Sequence, residues 1–330
     1  MNSQILFAGV DVSSETLDIH YNLENGKELT LQVPNTPVGH KEVVQKLGTR
    51  CYVMEATGPY YLRFAFVLKA SGADVRLENP LVIKRYIQMH MERNKSDKKD
   101  ASWIFRYALE QKAPVWNPPT EQSLKCNAIL ASIDLYSRQH TQLSNQIHAF
   151  SQLPADTKEI IKGLQKTIDH IDKEMAKLEL RLQQILQSWK AEQLKCLTTI
   201  PGLGKRATAL LIIYTDGFTK INNHRQLIAL AGLAPREYSS GSSIRGKRGI
   251  CKMGNDHLRN VLYMCSMSAI KCNKACKDLY ERLKAKGKRG KVALIAVCNK
   301  LLKQAFAIAT KLQMYQSEYV SKKPEKLLGF

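Results

Sequence analysis

Residues 4–33, QILFAGVDVSSETLDIHYNLENGKELTLQV, and residues 51–56, CYVMEA, decide the fold. The first stretch reads as three strands, Gln4 to Asp11, Thr16 to Leu23 and Glu28 to Val33, with the turn signal Asn25-Gly26 joining the last two. A helical stretch near Val38 to Leu47 follows, then a strand at Cys51 to Ala56, a helix from about Pro59 to Ala70 and a strand at Asp74 to Glu78. Three hairpin-linked strands followed by strand and helix alternation is the order of a ribonuclease H-like fold, although doubly wound folds share part of it.

Asp11 and Glu55 each stand where an apolar β run closes. In a ribonuclease H-like sheet those two strands are neighbours, so both carboxylates would meet at one edge. Asp97 and Asp100 are spaced i,i+3 where a helix through Trp103 and Tyr107 should begin, which puts them on one helix face. Four converging carboxylates repel one another unless cations neutralise them, and an all-oxygen donor set favours Mg²⁺ or Mn²⁺. Two such ions ~4 Å apart can clamp the attacking and leaving oxygens of an in-line phosphoryl displacement. The alternative for Asp97 and Asp100 is helix capping, and for Asp11 a strand-end turn.

Between Ile161 and Trp189, the residues Ile161, Leu164, Ile168, Ile171, Met175, Leu178, Leu182, Ile185 and Trp189 alternate spacings of three and four. Such a narrow seam must bury itself on another helix, either the segment Leu124 to Ile147 of the same chain or a second protomer. The expected organisation is therefore α/β plus α. It comprises a metal-binding domain at 1–122, a helical or coiled-coil oligomerisation segment at 123–190 and a basic, mainly helical domain at 191–330.

The formal net charge is +21, and residues 191–330 hold 26 Lys+Arg against 8 Asp+Glu. An excess confined to one half favours a polyanion as partner over a neutral metabolite and reads as a nucleic-acid footprint. Leu197 to Lys205, followed by the helical run Ala207 to Ile213, resembles a helix-hairpin-helix, in which Gly202, Gly204 and Lys205 would meet a phosphate; a plain glycine-containing turn is the alternative. Tyr238 to Ser243 is a Ser/Gly loop followed by Arg245, Lys247 and Arg248, a set in which hydroxyls stand beside cations. Lys286, Lys288, Arg289 and Lys291 form a second dense basic run, either a phosphate track or a solvated loop. Eight cysteines in 330 residues fall below the density of a disulfide scaffold, and structural zinc is not expected. No apolar run approaches the ~18 residues that cross a bilayer, so no membrane partner and a cytoplasmic, nucleoid-associated prokaryotic protein are expected.

Taken together, Gly9-Val10-Asp11, Glu55-Ala56-Thr57-Gly58, Asn94 to Ala101, Ile200 to Gly204, Leu230 to Pro235 and Ser240-Gly241 closely resemble the marks of the DEDD insertion-sequence transposases. That group also contains the pilin-gene DNA invertases and the bridge-RNA-guided recombinases, and the likeness covers nearly the whole chain. It implies a RuvC-like N-terminal domain whose Asp11, Glu55, Asp97 and Asp100 bind Mg²⁺, and a C-terminal transposase domain whose Ser240 attacks DNA. Ser239, Ser242 and Ser243 are the other candidates for that role. Lys98 and Lys99 are more basic than the family pattern suggests. The resemblance also implies double-stranded DNA partners at element ends and target, and a homodimer or homotetramer whose catalytic parts come from different protomers. Some members of the group are guided by a structured RNA, which the basic C-terminal half could carry as readily as DNA.

Three functions compete. In a recombinase, a serine hydroxyl breaks and rejoins DNA through a phosphoserine. In a RuvC-like nuclease, activated water attacks and the serine loop only contacts phosphate. In a binding protein, the carboxylates are the remains of a lost site.

Overall fold

The computed structural model describes residues 6–91, 97–236, 239–240, 244–245 and 249–318, and at Asp97, Lys98, Ser239, Ser240, Ile244 and Arg245 it describes the backbone alone. The chain forms two compact units, 1–118 and 119–330.

In the first unit, β1 (Phe7–Val12), β2 (Thr16–Asn22) and β3 (Glu28–Pro34) form an antiparallel meander. Gly26, at φ 79°, makes the turn before β3 because only a residue without a Cβ takes that conformation freely. After α1 (Pro37–Leu47), β4 (Cys51–Glu55) inserts parallel to β1. After α2 (Tyr61–Ala70), β5 (Asp74–Glu78) lies parallel to β4. The sheet order β3-β2-β1-β4-β5, three antiparallel strands then two parallel ones, is that of a ribonuclease H-like sheet. Two further helices, α3 (Pro80–Met89) and α4 (Asp97–Glu110), complete the unit.

Strand alternation divides the apolar residues between two layers. Ala8, Val10, Tyr52, Met54 and Val75 bury one face with Val43 of α1 and with Phe64 and Leu68 of α2. Cys51 and Val53 bury the other with Ile83 and Tyr86 of α3 and with Ile104, Tyr107 and Ala108 of α4. Gly9 lies under α4, where a Cβ would sit 2.1 Å from the Phe105 amide nitrogen and 2.6 Å from the Ala101 carbonyl oxygen. The glycine thus sets how closely α4 approaches β1.

The second unit begins with a long helical hairpin of α5 (Glu121–Ser151) and α6 (Lys158–Thr198), the latter kinked at Lys190. The heptad seam of α6 is covered by α5 of the same chain: Ile168, Ile171 and Leu182 are buried, Ser137 donates to Met175 Sδ, and His140 Nε2 lies 3.6 Å from Asp172. Next come α7 (Lys205–Tyr214) and α8 (His224–Leu230). Two small ribbons follow, one of β6 (Pro235–Arg236) with β9 (Gly249–Ile250), the other of β7 (Ser239–Ser240) with β8 (Ile244–Arg245). The helices α9 (Asp256–Cys272), α10 (Lys274–Ala285) and α11 (Gly290–Lys311) close the core.

One expectation is corrected. By length and composition α11 is apolar enough to cross a membrane. Its mean hydropathy is high because Ala293, Val297, Cys298, Leu301, Leu302, Ala305 and Ala309 face the protein core, where all are buried. A core helix of a globular unit meets the same criterion.

Candidate active sites

The sheet brings the strand-borne acids into one row. Asp11 is the penultimate residue of β1 and Glu55 the last of β4, and each lies one residue beyond the parallel pair Val10 and Met54. Both fall on the side chain face shared by Gly9 and Val53, the face that α4 covers, so the helix beginning at Asp97 packs on the layer that carries them. The side chain of Asp97 lies outside the described residues, as do Asn94, Lys95 and Ser96. Among the described residues, no three Asp, Glu, His or Cys side chains gather closely enough to hold a metal ion. The donor chemistry nonetheless suits a hard divalent cation, because every acid in the row offers oxygen alone.

Two more carboxylates flank the row, and the sequence pattern did not single them out. Asp18 of β2 pairs directly with Asp11, is nearly fully buried and accepts 2.9 and 3.2 Å hydrogen bonds from Gln32 Nε2. Glu78, the last residue of β5, pairs with Glu55; its Oε1 accepts from the Asn79 amide at 2.8 Å and its Oε2 from the Tyr107 hydroxyl at 2.7 Å. The signal was present, since Glu78 closes a strand as Glu55 does, but the alternating Asp74 and Arg76 make β5 read as an edge strand rather than a buried one. Burial, and then the bond to Glu78, push the Tyr107 hydroxyl well above its usual pKa, which keeps it a hydrogen-bond donor to Glu78. Tyr86 is pushed up to about 12, first by burial and then by its bond to Glu110.

In the second unit the serine segment takes the form of a ribbon rather than an open loop. Ser240 pairs with Ile244 and Ser239 with Arg245. The side chains of Ser239, Ser240 and Arg245, and residues Ser242, Ser243, Lys247 and Arg248 as a whole, lie outside the described residues. The neighbouring ribbon of β6 with β9 is tightly built. The Cys251 amide donates to the Ala234 carbonyl at 2.8 Å and the Lys252 amide to the Gly232 carbonyl at 3.0 Å. Gly232, at φ 65°, would place a Cβ 2.6 Å from Arg259 Nη1, and Arg259 itself donates to the Ala231 carbonyl at 3.1 Å. Arg259 is a further residue that the pattern gave no reason to select; only the crossing of Gly232 over α9 reveals it.

The two glycines of Ile200 to Gly204 do different things. Gly202, at φ 89°, faces α9, where a Cβ would meet Ala269 at 2.5 Å, so its lack of a side chain serves helix packing. Gly204 is exposed, with nothing near its would-be Cβ, and opens α7 beside exposed Lys205. Lys286, Lys288, Arg289 and Lys291 stand on the turn from α10 to α11, in which Gly287 takes φ 71° and Arg289 is the N-cap.

Acids closing neighbouring strands of one unit and a basic, serine-bearing segment in the other suit phosphoryl chemistry on a polyanion, and comparison with known proteins gives the class, the DNA-processing enzymes called transposases. A DEDD-type transposase model matches residues 8–153, and the model for the transposase IS116/IS110/IS902 family matches residues 194–281. The chain belongs to this IS110-type family of transposases. It is 27% identical to the pilin gene-inverting protein of Moraxella lacunata, over 92% of this chain and 95% of that one. It is 24% identical to the transposase for insertion sequence element IS1111A of Coxiella burnetii, over 94% and 92%. The solved T. thermophilus RuvC in complex with a Holliday junction substrate aligns with 34% of this chain and 100% of its own at 14% identity. Its TM-score of 0.27 is too low to bear on the fold, which rests on the strand order.

Proposed function

We propose that the protein is a site-specific DNA recombinase that moves or inverts a DNA element through a phosphoserine intermediate. The observation that carries this reading is the neighbouring placement of Asp11 and Glu55 under the helix that begins at Asp97, in a chain whose other unit carries the serine ribbon. Asp11, Glu55, Asp97 and Asp100 would hold Mg²⁺, with Mn²⁺ as a substitute. Bound there, the ion would act as a Lewis acid that offsets charge on the phosphoryl oxygens. Ser240 Oγ attacks the phosphodiester phosphorus, the bond to one deoxyribose oxygen breaks, and the serine proton ends on that oxygen. Attack by a deoxyribose hydroxyl on the phosphoserine then forms a new phosphodiester and returns Ser240, so no high-energy cofactor is consumed. Arg245, Lys247 and Arg248 would stabilise the transition-state charge.

The substrates are double-stranded element ends and target DNA. Gly204, Lys205, Lys286, Lys288, Arg289 and Lys291 would contact phosphates, with Gly202 shaping the helix-hairpin-helix turn. The same basic unit suits a structured guide RNA, which the family resemblance introduces. A homodimer or homotetramer would join one protomer's acids to another's serine. Because α5 covers the α6 seam within the chain, that assembly draws on other surfaces. A cytoplasmic, nucleoid-associated location accords with DNA as substrate.

The competing reading is a metal-dependent nuclease in which water attacks. Ser240→Ala separates the two on element-end DNA with Mg²⁺. The recombinase reading expects loss of strand joining and of the protein–DNA adduct seen on denaturing gels. Undiminished joining by Ser240→Ala would sink it, and cleavage without any adduct in the unaltered protein would favour the nuclease.

A further inference from the structure

We infer that Tyr107 and Glu78 are positioning residues for the acidic site, acting through the seating of α4 on the sheet. This rests on the proposal that Asp11, Glu55, Asp97 and Asp100 bind a divalent metal.

The argument begins with what a helix must do to deliver Asp97 and Asp100. Both are in its first turn, so their placement over the sheet depends on the height, tilt and axial position of α4. Height is fixed at Gly9, where the Ala101 carbonyl and the Phe105 amide lie against the strand with no room for a Cβ. A contact at one point still permits rocking and sliding. The second point is Tyr107, whose hydroxyl donates to Glu78 Oε2 at 2.7 Å while its ring is buried beside the Tyr86 ring at 5.2 Å. Glu78 in turn is fixed by the Asn79 amide and by its direct pairing with Glu55. The hydrogen bond therefore ties α4, ten residues beyond Asp97, to the residue beside one of the proposed ligands. Added to the apolar packing of Ile104 and Ala108 and to the bond from Tyr86 to Glu110, this directional bond fixes the tilt of α4, and losing it loosens the placement of its first turn relative to Asp11 and Glu55.

Outer partners of this kind orient metal ligands, and their removal typically costs 10- to 100-fold in metal affinity. Tyr107→Phe keeps the ring, the packing and every charge, and removes only the donor. Mn²⁺ binding to the full-length protein, followed by electron paramagnetic resonance, is expected to weaken about tenfold in Tyr107→Phe. Thermal unfolding in EDTA reports the fold separately and should change little. Glu78→Leu removes the acceptor together with a charge. In a double-mutant cycle its effect on Mn²⁺ affinity should be markedly smaller in the Tyr107→Phe background than in the unaltered protein. Unchanged Mn²⁺ affinity in Tyr107→Phe, or strictly additive effects in the cycle, would overturn the inference. Asp11→Asn is the control: if it too binds Mn²⁺ normally, the metal-site reading itself falls, whereas loss in Asp11→Asn with none in Tyr107→Phe rejects the positioning role alone.

Discussion

Asp11 and Ser240 are both placed by β-structure, but in very different settings. Asp11 lies in a central strand paired on both sides within a five-stranded sheet and roofed by a helix. Ser240 lies in a two-residue strand that, among the described residues, pairs with β8 alone, in a two-stranded ribbon separate from the five-stranded sheet. Fixing a strand on both sides removes its freedom to shift, whereas an isolated two-stranded ribbon is marginally stable in water. The contrast suits the chemistry proposed. Metal ligands need constant mutual placement, and a nucleophile that must reach a phosphodiester gains from a lightly held support.

Three substitutions probe that contrast. Gly9→Ala attacks the acid edge where it is most tightly built, because the new Cβ would meet the α4 backbone at 2.1 Å and neither strand nor helix can yield cheaply. Chemical denaturation should show a loss of about 3 kcal/mol or more, the range of severe overpacking. A loss below about 1 kcal/mol would mean that the seating of α4 is soft. Gly232→Ala attacks the root of the neighbouring β6–β9 ribbon, combining a positive φ with a contact on a flexible arginine at 2.6 Å and on the Lys252 and Met253 backbone at 3.0 and 3.1 Å. About 1–2 kcal/mol is expected, with strand joining reduced more than DNA binding; equal loss of both would show the root to be merely structural. Leu178→Asp addresses the hairpin, where Leu178 is half-buried on the seam that faces α5. It should cost about 1–3 kcal/mol and leave the oligomeric state unchanged on sizing. A shift to monomers would reinstate the seam as a surface between protomers.

The first unit is largely legible in its residues. Alternation and the turn signals predict β2, β3 and β4 to within a residue at each end and β5 at both ends, because half-buried strands repeat with period two. In β1 the apolar run ends at Asp11, while the pairing continues through Val12, since Val12 finds burial beside Leu17. The seam of α6 is equally plain, but its partner is not, for a narrow stripe is satisfied by any helix with a matching face. The serine segment reads as a loop because strands of two residues leave no period to detect.

The sequence alone determined that acids close the inner strands, that Asp97 and Asp100 open a helix, and that positive charge gathers toward the C-terminus, since each is a matter of local period or composition. Only the tertiary structure decided that Asp18 and Glu78 join the row, that Tyr107 ties α4 to β5, that Gly202 serves packing on α9, and that α5 takes the seam. Those outcomes depend on strand register and on contacts between residues far apart in the chain. Local pattern constrains neither, because any neighbour with a compatible surface satisfies it until the rest of the fold has chosen one.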